Sequence, residues 1–300
     1  MKKQLLIAGG SGLIGSALQE EALRQGWIVL LLSRHPGKDR IVWDPINGSI
    51  DIKEPQMFDA IINLAGASIS GARWTNKRKI EIKDSRIKSS QTLESYLRNG
   101  MLATKVYVGA SGVGIYGDRG SVVVDEDTFI PTTDDWMINT VVEWEASHKC
   151  METLGIRTVI LRTAIVLSTS GGAFHEMVRT APLGILGYFG HGRQVWPWIH
   201  IDDQIDIILQ AIDNDRMRGI YLATAPNAVP VREFTKVLSK QFSPPRLPIP
   251  VPGFFLSILL GEMKNILFQS CNAYPTRLLQ QGFHFRFPTI EEALKDLVKK

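Results

Sequence analysis

The stretch Gly9-Gly10-Ser11-Gly12-Leu13-Ile14-Gly15 decides the fold that this chain can adopt. It follows a short apolar run, Gln4 to Ala8, and opens an amphipathic run, Leu13 to Gln25, so it forms the turn between a predicted strand and a predicted helix. Glycines at these spacings permit a tight turn, allow the backbone to approach a pyrophosphate, and let helix and strand pack closely. The helix N-terminus adds amide donors. The stretch therefore predicts a dinucleotide site, with contacts from Gly9, Ser11, Gly12, Leu13, Ile14 and Gly15.

The rest of the chain alternates short β-branched runs with longer amphipathic runs, which is typical of βαβ units around a parallel sheet. Further helices are predicted over Asn76 to Leu97, Asp202 to Ile212 and Thr289 to Val298. Further strands are predicted over Ile28 to Ser33, Arg40 to Trp43, Ala60 to Leu64, Lys105 to Ala110, Arg157 to Leu167 and Ile220 to Ala223. From about Val229 the pattern changes, and prolines cluster between residues 244 and 252.

The composition, 44% hydrophobic and 21% charged over 300 residues, is typical of a globular protein. The formal net charge of +4 comes from basic residues scattered among acids, without an aromatic and basic motif, so we expect no nucleic-acid partner. Cys150 and Cys271 lie far apart and show no ligand spacing. They predict neither a disulfide framework nor a metal site, and they suit a reducing compartment.

Two segments bear on location. The glycine turn begins directly after Ala8, which leaves no room for the apolar stretch of a secretory signal, so we expect a cytoplasmic protein. The apolar run from Pro252 to Phe268 is interrupted by Glu262, Lys264 and Asn265, and it falls short of the ~20 residues that a membrane span requires. It predicts a buried helix or a helix that faces a partner, and no membrane association.

The residue after the second strand bears on which dinucleotide binds. An NAD-preferring fold usually places an acid there for the ribose 2′-hydroxyl, whereas this chain has Arg34. An arginine can pair with a 2′-phosphate through two hydrogen bonds, so we predict NADP(H) in preference to NAD(H). The alternative is a solvated surface arginine. Small residues at the end of a later strand, Leu64, Ala65 and Gly66, leave room for the same cofactor.

Taken in order along the chain, these motifs resemble the extended short-chain dehydrogenase/reductase superfamily. Within it, the sequence is similar to the atypical group of epimerase-family, or NAD-dependent epimerase-like, proteins, and the resemblance covers nearly the whole chain. The segments that carry it are the glycine turn, Asn63 to Gly66, Arg73-Trp74, Asp84 to Arg86, Ser111 to Gly117, Trp144 to Ala146, Gly171-Gly172, Gly192 to Gln194, Trp198 to Asp203, Ala225 to Asn227 and Gly282-Phe283.

The resemblance implies an α/β fold, a Rossmann-like doubly wound parallel sheet with a smaller C-terminal α/β substrate lobe. We assign residues 1–167 and about 200–228 to the NADP(H)-binding domain, and residues 168–199 and 229–300 to the substrate lobe. Homodimers are common among such proteins, and a small molecule is the expected substrate. Arg162, in the strand from Arg157 to Leu167, is assigned to the cofactor site.

The resemblance also raises a question about catalysis. Members of the superfamily typically use a Ser or Thr with a Tyr-x-x-x-Lys pair, in which the tyrosine oxygen exchanges a proton with the substrate. Ser111 matches the serine, but Trp144 falls on the tyrosine and His148 on the lysine. An indole N–H donates a hydrogen bond but has no proton to give up near neutral pH, so Trp144 cannot be the acid or base.

Three other residues are candidates for the missing proton carrier. Tyr116 follows Ser111 closely, with a packing aromatic as the alternative. His148 titrates near neutrality, and it could instead contact the ribose or lie on a helix surface. His200 could act in the site or could order the start of a helix through hydrogen bonds.

A second set of residues suggests a substrate pocket. Arg73 and Trp74 follow the Asn-Leu-Ala-Gly segment, and an arginine beside a flat aromatic suits an anionic or sugar-like ligand. Arg193 and Trp198 form a similar pair, although Trp198 could as easily pack the lobe. With Trp144 and His200, these complete the substrate residues that we predict.

Two functions remain open from the sequence. The first is an NADP(H)-dependent oxidoreductase or epimerase that acts on a small carbonyl or sugar-nucleotide-like substrate. The second is a non-catalytic NADPH-binding protein with a regulatory or scaffold role, in which Trp144 and His148 mark the loss of proton transfer. The cluster of arginines and tryptophans favours the enzyme.

Overall fold

A computed structural model describes residues 2–70, 72–251, 254 and 261–299. The described helices are α1 (Leu13–Arg24), α2 (Asn76–Arg98), α3 (Trp136–Lys149), α4 (Gly172–Val178), α5 (Ile201–Asp213), α6 (Val231–Lys240), α7 (Lys264–Phe268), α8 (Thr276–Gln280) and α9 (Ile290–Lys299). The strands are β1 (Gln4–Ala8), β2 (Ile28–Ser33), β3 (Arg40–Asp44), β4 (Ser49–Ile50), β5 (Gln56–Asn63), β6 (Leu102–Gly112), β7 (Val123–Val124), β8 (Arg157–Thr163), β9 (Ile165–Leu167), β10 (Ile185–Phe189), β11 (Val195–Trp196), β12 (Trp198–His200), β13 (Gly219–Ala223), β14 (Val229–Pro230), β15 (Leu247–Val251) and β16 (Asn272–Ala273).

The central sheet has eight strands in the order β13-β8-β6-β5-β1-β2-β3-β4. Every neighbouring pair is parallel except β3 with β4, which is antiparallel. The strand order reverses beside β1, so the carboxyl ends of β1 and β5 border a crevice, which is where doubly wound sheets bind ligands. The predicted Rossmann-like doubly wound sheet is confirmed.

Helices cover both faces of this sheet, which explains its continuous apolar strands. In β1, Leu5 and Ile7 pack with Leu18 of α1 and Ile208 of α5 on one face. The alternate residues of β1, Leu6 and Ala8, belong to a second cluster on the other face with Leu93 of α2. The alternation of side chains along a strand therefore divides the core into two layers.

A separate hydrophobic cluster lies among the later elements. Most of its members come from β9, α4, β10, β11, β12, α6 and α9, and they include Phe174, Trp196, Trp198, Phe234 and Leu294. This cluster lies within the region that the sequence assigns mainly to the substrate lobe. The exact division into domains stays a prediction.

One predicted strand is wrong in its extent. The run from Arg157 to Leu167 forms two strands that separate at Ala164, whose amide donates to the carbonyl of Ala223. β8 stays in the central sheet, whereas β9 leaves it and pairs in parallel with β12. Apart from the run between Pro252 and Phe268, the other predicted strands and helices are present, with ends that differ by a few residues.

In the predicted helix between Pro252 and Phe268, residues 252, 253 and 255–260 lie outside the described residues. Its described end is the short helix α7, whose residues are partly exposed rather than buried. No helix among the described residues is long and apolar enough to cross a membrane.

Candidate active site

The glycine turn between β1 and α1 has the close packing that the sequence predicts. A Cβ on Gly9, whose φ is +82°, would lie 2.7 Å from the carbonyl carbon of Leu64, and a Cβ on Gly15 would lie 2.3 Å from the carbonyl oxygen of Gly9. Residue Gly12 begins α1 without a side-chain cap, and the first turn of the helix has no acid. The first amides of α1 are thus available to an anion, which fits the pyrophosphate of a dinucleotide.

The strands beside the turn form the rest of the crevice. Ala8 and Asn63 are register partners, and the amide of Leu64 donates to the carbonyl of Ala8 at 2.9 Å. The Asn63 side chain accepts from the amide of Ala65 at 3.1 Å, which fixes the chain as it leaves β5. Gly66, three residues after β5, packs against Arg86 of α2, since a Cβ there would lie 3.1 Å from Arg86 Cζ.

Arg34 follows β2 and is exposed. It lines a cavity of about 490 Å³ together with Trp43 and Asp44 of β3 and with residues 49–51. This position, beyond the carboxyl end of the second strand, is where a Rossmann-like fold meets the adenosine ribose of its cofactor.

Ser111 belongs to a buried chain of polar side chains. Its hydroxyl donates to Glu145 Oε1 at 2.7 Å, and the Glu145 carboxylate accepts from Arg162 Nε at 2.7 Å and from Arg162 Nη2 at 2.9 Å. Both side chains of this ion pair are 5% exposed. Burial acts to lower the pKa of Arg162, but the bonds to Glu145 outweigh it and the net shift is upward. The serine is therefore tied to a carboxylate that is paired with a buried guanidinium.

Glu145 is a site residue that the sequence interpretation missed. It lies in α3 on a stripe of buried residues with Val141, Trp144 and His148, at helical spacing. An acid on a buried helical stripe requires a partner of opposite charge. Arg162 is a cation that directly follows the apolar run Val159 to Leu161 in a predicted strand. These two signals together could have identified the pair.

Tyr116 ends the same chain of hydrogen bonds. Its hydroxyl accepts from Arg162 Nη1 at 2.7 Å and donates to the carbonyl of Asp125 at 2.7 Å. The side chain is buried, and burial raises the pKa of Tyr116 to about 12 although Arg162 opposes the shift. Its proton is thus held by the protein, as expected for the packing alternative rather than for a proton carrier.

His148 is enclosed between α3 and the central sheet. Its Nε2 lies 2.9 Å from the carbonyl of Ala110, and its Nδ1 lies 2.8 Å from Tyr107 Oη and 3.0 Å from Ser90 Oγ. Because a carbonyl only accepts, Nε2 carries the proton. Burial lowers the pKa of His148 to about 4, so the ring is neutral near pH 7. Both nitrogens bind protein groups, which argues against the predicted proton transfer and ribose contact.

Trp144 lies on the same face of α3, one helical turn before His148. Its ring centroid is 5.9 Å from that of His148, and the Arg86 guanidinium of α2 lies 5.0 Å from the Trp144 ring centroid. Arg86 Nη1 donates to the carbonyls of Ala67 and Ile82, each at 2.9 Å. Burial and the nearby charge of Arg78 lower the pKa of Arg86 to about 10, which leaves it cationic at neutral pH.

The other predicted substrate residues lie on different elements. Arg73 is exposed in the loop before α2. Trp74 donates to the carbonyl of Ile69 at 2.8 Å and packs edge-to-face against Trp136, at the start of α3, with a centroid distance of 5.0 Å. Arg193 is exposed in the loop before β11.

Trp198 and His200 have structural partners. Trp198 is buried in the second cluster and donates to the carbonyl of Asn227 at 2.9 Å, as expected for the packing alternative. His200 caps α5, because its Nδ1 accepts from the amide of Asp202 at 3.1 Å. Its Nε2 lies 3.4 Å from Asp296 Oδ2, and these two residues with Asp202 form the one group of metal-type ligands among the described residues.

The fold and this site define a dinucleotide-binding protein of the short-chain dehydrogenase/reductase type. Residues 5–222 match the model of the NAD dependent epimerase/dehydratase family, and residues 251–297 match that of a domain of unknown function, DUF1731. The chain belongs to the NAD dependent epimerase/dehydratase family. It is 33% identical to the epimerase family protein YfhF of Bacillus subtilis over 300 residues, which cover 98% of this chain and 97% of that protein.

Two further relatives extend the comparison. The human epimerase family protein SDR39U1 is 32% identical and covers 98% of this chain and 99% of its own. A crystal structure of human SDR39U1, isoform 2, with NADPH matches with a TM-score of 0.89 and covers 99% of both chains. A nucleoside-diphosphate sugar epimerase from Corynebacterium glutamicum matches with a TM-score of 0.79 and 26% identity over 99% of this chain and 58% of that one.

Proposed function

We propose that the protein is an NADP(H)-dependent oxidoreductase or epimerase that acts at a hydroxyl or carbonyl carbon of a small or sugar-nucleotide-like substrate. The observation that carries this proposal is the buried hydrogen bond from Ser111 to a carboxylate, Glu145, which Arg162 holds through two further bonds. The resemblance to the superfamily implies that Ser111 takes the place of its catalytic serine. A buried, ordered ion pair of this kind is costly to retain without a role.

The direction of the Ser111 hydrogen bond supports a path for the proton. Because Ser111 donates to Glu145, its remaining lone pairs can accept a hydrogen bond from a substrate hydroxyl. As the substrate is oxidised, its hydroxyl proton passes to Ser111 Oγ while the serine proton passes to Glu145. In the reducing direction the same two protons return. NADP(H), when bound, would accept the hydride in the oxidising direction and supply it in the reducing direction.

The neighbouring residues act as positioning residues in this proposal. Arg162 orients the Glu145 carboxylate through two hydrogen bonds, and Tyr116 fixes Arg162 through its hydroxyl. His148 locks α3 against β6 through the carbonyl of Ala110. The site thus has no need of a tyrosine and lysine pair for proton transfer.

Two substitutions test the proton path. Ser111→Ala removes the hydroxyl but keeps the ion pair, and Glu145→Gln keeps the shape but removes the base. We expect both variants to bind NADPH like the parent and to lose about 100-fold or more in turnover, as for removal of a general base. The assay is NADPH oxidation or NADP⁺ reduction across a panel of carbonyls, alcohols and sugar nucleotides.

Glu143→Gln is the matched control, because Glu143 lies on α3 but is exposed and pairs with Lys83. It should retain full turnover. Turnover that survives in Ser111→Ala would refute the proton path, and circular dichroism checks that Glu145→Gln still folds without its buried charge.

The preference for NADP(H) is part of the same proposal. Arg34 is exposed beyond the second strand, and the human relative with TM-score 0.89 was crystallised with NADPH. We expect Arg34→Ala to raise the Kd for NADPH by about 10-fold to 100-fold, as for loss of one charge-assisted bond to a phosphate, and to leave the NADH Kd unchanged. Arg24→Ala, which removes an exposed arginine of α1, is the control. An equal rise in the Kd values for NADPH and NADH would overturn the assignment of Arg34 to the 2′-phosphate.

A second candidate function, a non-catalytic NADPH-binding protein, has its own observation. The residues at the usual tyrosine and lysine positions, Trp144 and His148, offer no group that titrates near neutral pH. This candidate predicts tight NADPH binding and thermal stabilisation by the cofactor without turnover of any substrate in the panel.

A further inference from the structure

The indole N–H of Trp144 is an unusual donor. The Trp144 side chain is only 9% exposed, and its Nε1 is buried without a hydrogen-bond acceptor among the described residues. A buried N–H without an acceptor costs free energy, so such groups call for an explanation such as a ligand that is bound during function.

Arg86 supplies a second donor beside it. The guanidinium lies 5.0 Å from the Trp144 ring centroid, and among the described residues only its Nη1 donates hydrogen bonds, to the carbonyls of Ala67 and Ile82. Within the described part of the chain, no carboxylate lies within ion-pair distance of Arg86, whereas Arg162 is neutralised by Glu145. Arg78, the nearby charge, is also positive. Because Arg78 is paired with Glu81 at 2.7 Å, the charge that favours an anion here is that of Arg86.

Both donors lie beside the proposed reacting group. Trp144 precedes Glu145, the partner of Ser111, in α3, and Arg86 reaches the chain directly after β5. A Cβ on Gly66 would lie 3.1 Å from Arg86 Cζ, so the glycine makes room for the guanidinium at the wall of the crevice. Trp144 is therefore adjacent in α3 to the carboxylate that holds Ser111, and Arg86 lies against the segment that follows β5.

We propose that Arg86 and Trp144 bind a carboxylate of the substrate, which makes the substrate a small hydroxy acid, oxo acid or uronate-like sugar. One carboxylate oxygen accepts from the free edge of the Arg86 guanidinium, and the other accepts from Trp144 Nε1. A phosphate would place more oxygens and more charge there than these two donors satisfy. This inference rests on the proposed function, since it orients the carbon that Ser111 serves.

The test measures binding rather than turnover. NADP⁺-saturated protein is titrated by calorimetry with glycolate, lactate and glucuronate, with the amides of the same acids, and with inorganic phosphate. We expect the carboxylates to bind at least about tenfold more tightly than the amides, as for loss of one charge-assisted bond. Arg86→Gln and Trp144→Phe should each remove about tenfold or more of that affinity, and neither should change the NADPH Kd.

The matched control is Lys83→Gln, which removes one positive charge from the same helix at an exposed ion pair with Glu143. It should keep the carboxylate affinity. Arg86→Lys keeps the positive charge, so it should retain part of the carboxylate affinity. Circular dichroism of Arg86→Gln tests whether its loss of binding reflects a failure to fold.

Several outcomes would overturn the carboxylate site. The first two are equal affinity for acids and amides, and phosphate affinity as high as that of the acids. The others are a loss of carboxylate affinity in Lys83→Gln equal to that in Arg86→Gln, or a loss of NADPH affinity rather than carboxylate affinity in Arg86→Gln. Titrations of Ser111→Ala, and of protein without cofactor, separate this inference from the proposed function. Carboxylate binding that persists where turnover or NADPH binding fails would leave the site standing while refuting the proposed function.

Discussion

At the scale of single residues, His148 shows how burial decides what a titratable side chain does. Its ring packs directly over Gly109 of β6, where a Cβ would lie 2.7 Å from the ring, and both nitrogens bind protein groups. A protonated ring would leave Nδ1 as a donor facing the hydroxyls of Tyr107 and Ser90, whose bonds would have to rearrange. His148 therefore stabilises the fold in its neutral form.

This arrangement predicts a pH dependence of stability. The pKa of His148 is about 4 in the folded chain and 6.5 without the fold, so the unfolded state binds the extra proton between these values. The stabilisation that neutral His148 gives to the folded state is complete above pH 6.5. It is lost as the pH falls toward 4, which lowers the free energy of unfolding by up to about 3 kcal/mol. Urea unfolding of the parent and of His148→Gln, from pH 7.5 to pH 4.5, measures the difference. Parallel pH profiles for the two proteins would contradict it.

At the scale of elements, the sequence predicts the strands and turns that neighbouring residues determine. It does not predict features that depend on residues distant in sequence. The glycine turn and the strands near it follow from apolar runs and turn residues, because each is set within a few residues. The break at Ala164 was missed because it depends on a bond to Ala223, on a strand that is distant in sequence. The pairing of Ser111 with Glu145 was missed for the same reason, since α3 and β6 meet only in the folded chain.

The turn between β1 and α1 gives the prediction for this scale. In Gly15→Ala the new Cβ would lie 2.3 Å from the carbonyl oxygen of Gly9, so the helix must move away from the strand. We expect a loss of about 1–3 kcal/mol in the free energy of unfolding, as for overpacking, together with weaker NADPH binding. The paired variant Gly12→Ala meets Gly9 at an ordinary 3.4 Å and should keep its stability. Equal stability of both variants in urea unfolding would count against this account.

At the scale of the whole molecule, the C-terminal segment is tied to the helix that covers the central sheet. Asp203 of α5 is fully buried, and its two carboxylate oxygens accept from the amides of Arg286 at 2.7 Å and Phe287 at 3.1 Å. From there the chain continues into α9, which packs in the second cluster through Leu294. Asp203 therefore connects the two main hydrophobic clusters of the protein. It lies in the first turn of α5, three residues after the capping residue His200.

This connection predicts a local rather than a global effect when it is removed. Asp203→Ala deletes both acceptors and leaves two amides without partners, so we expect residues 283–299 to open more easily, by about 1–3 kcal/mol or roughly 10-fold to 100-fold in amide exchange. Hydrogen exchange read by mass spectrometry should show the change there and not in β1 or β5. Asp206→Asn, which removes only the surface ion pair with Arg286, is the control and should exchange like the parent. Faster exchange throughout the central sheet of Asp203→Ala would mean that the carboxylate supports the whole fold, and that the C-terminal segment is not a separately opening unit.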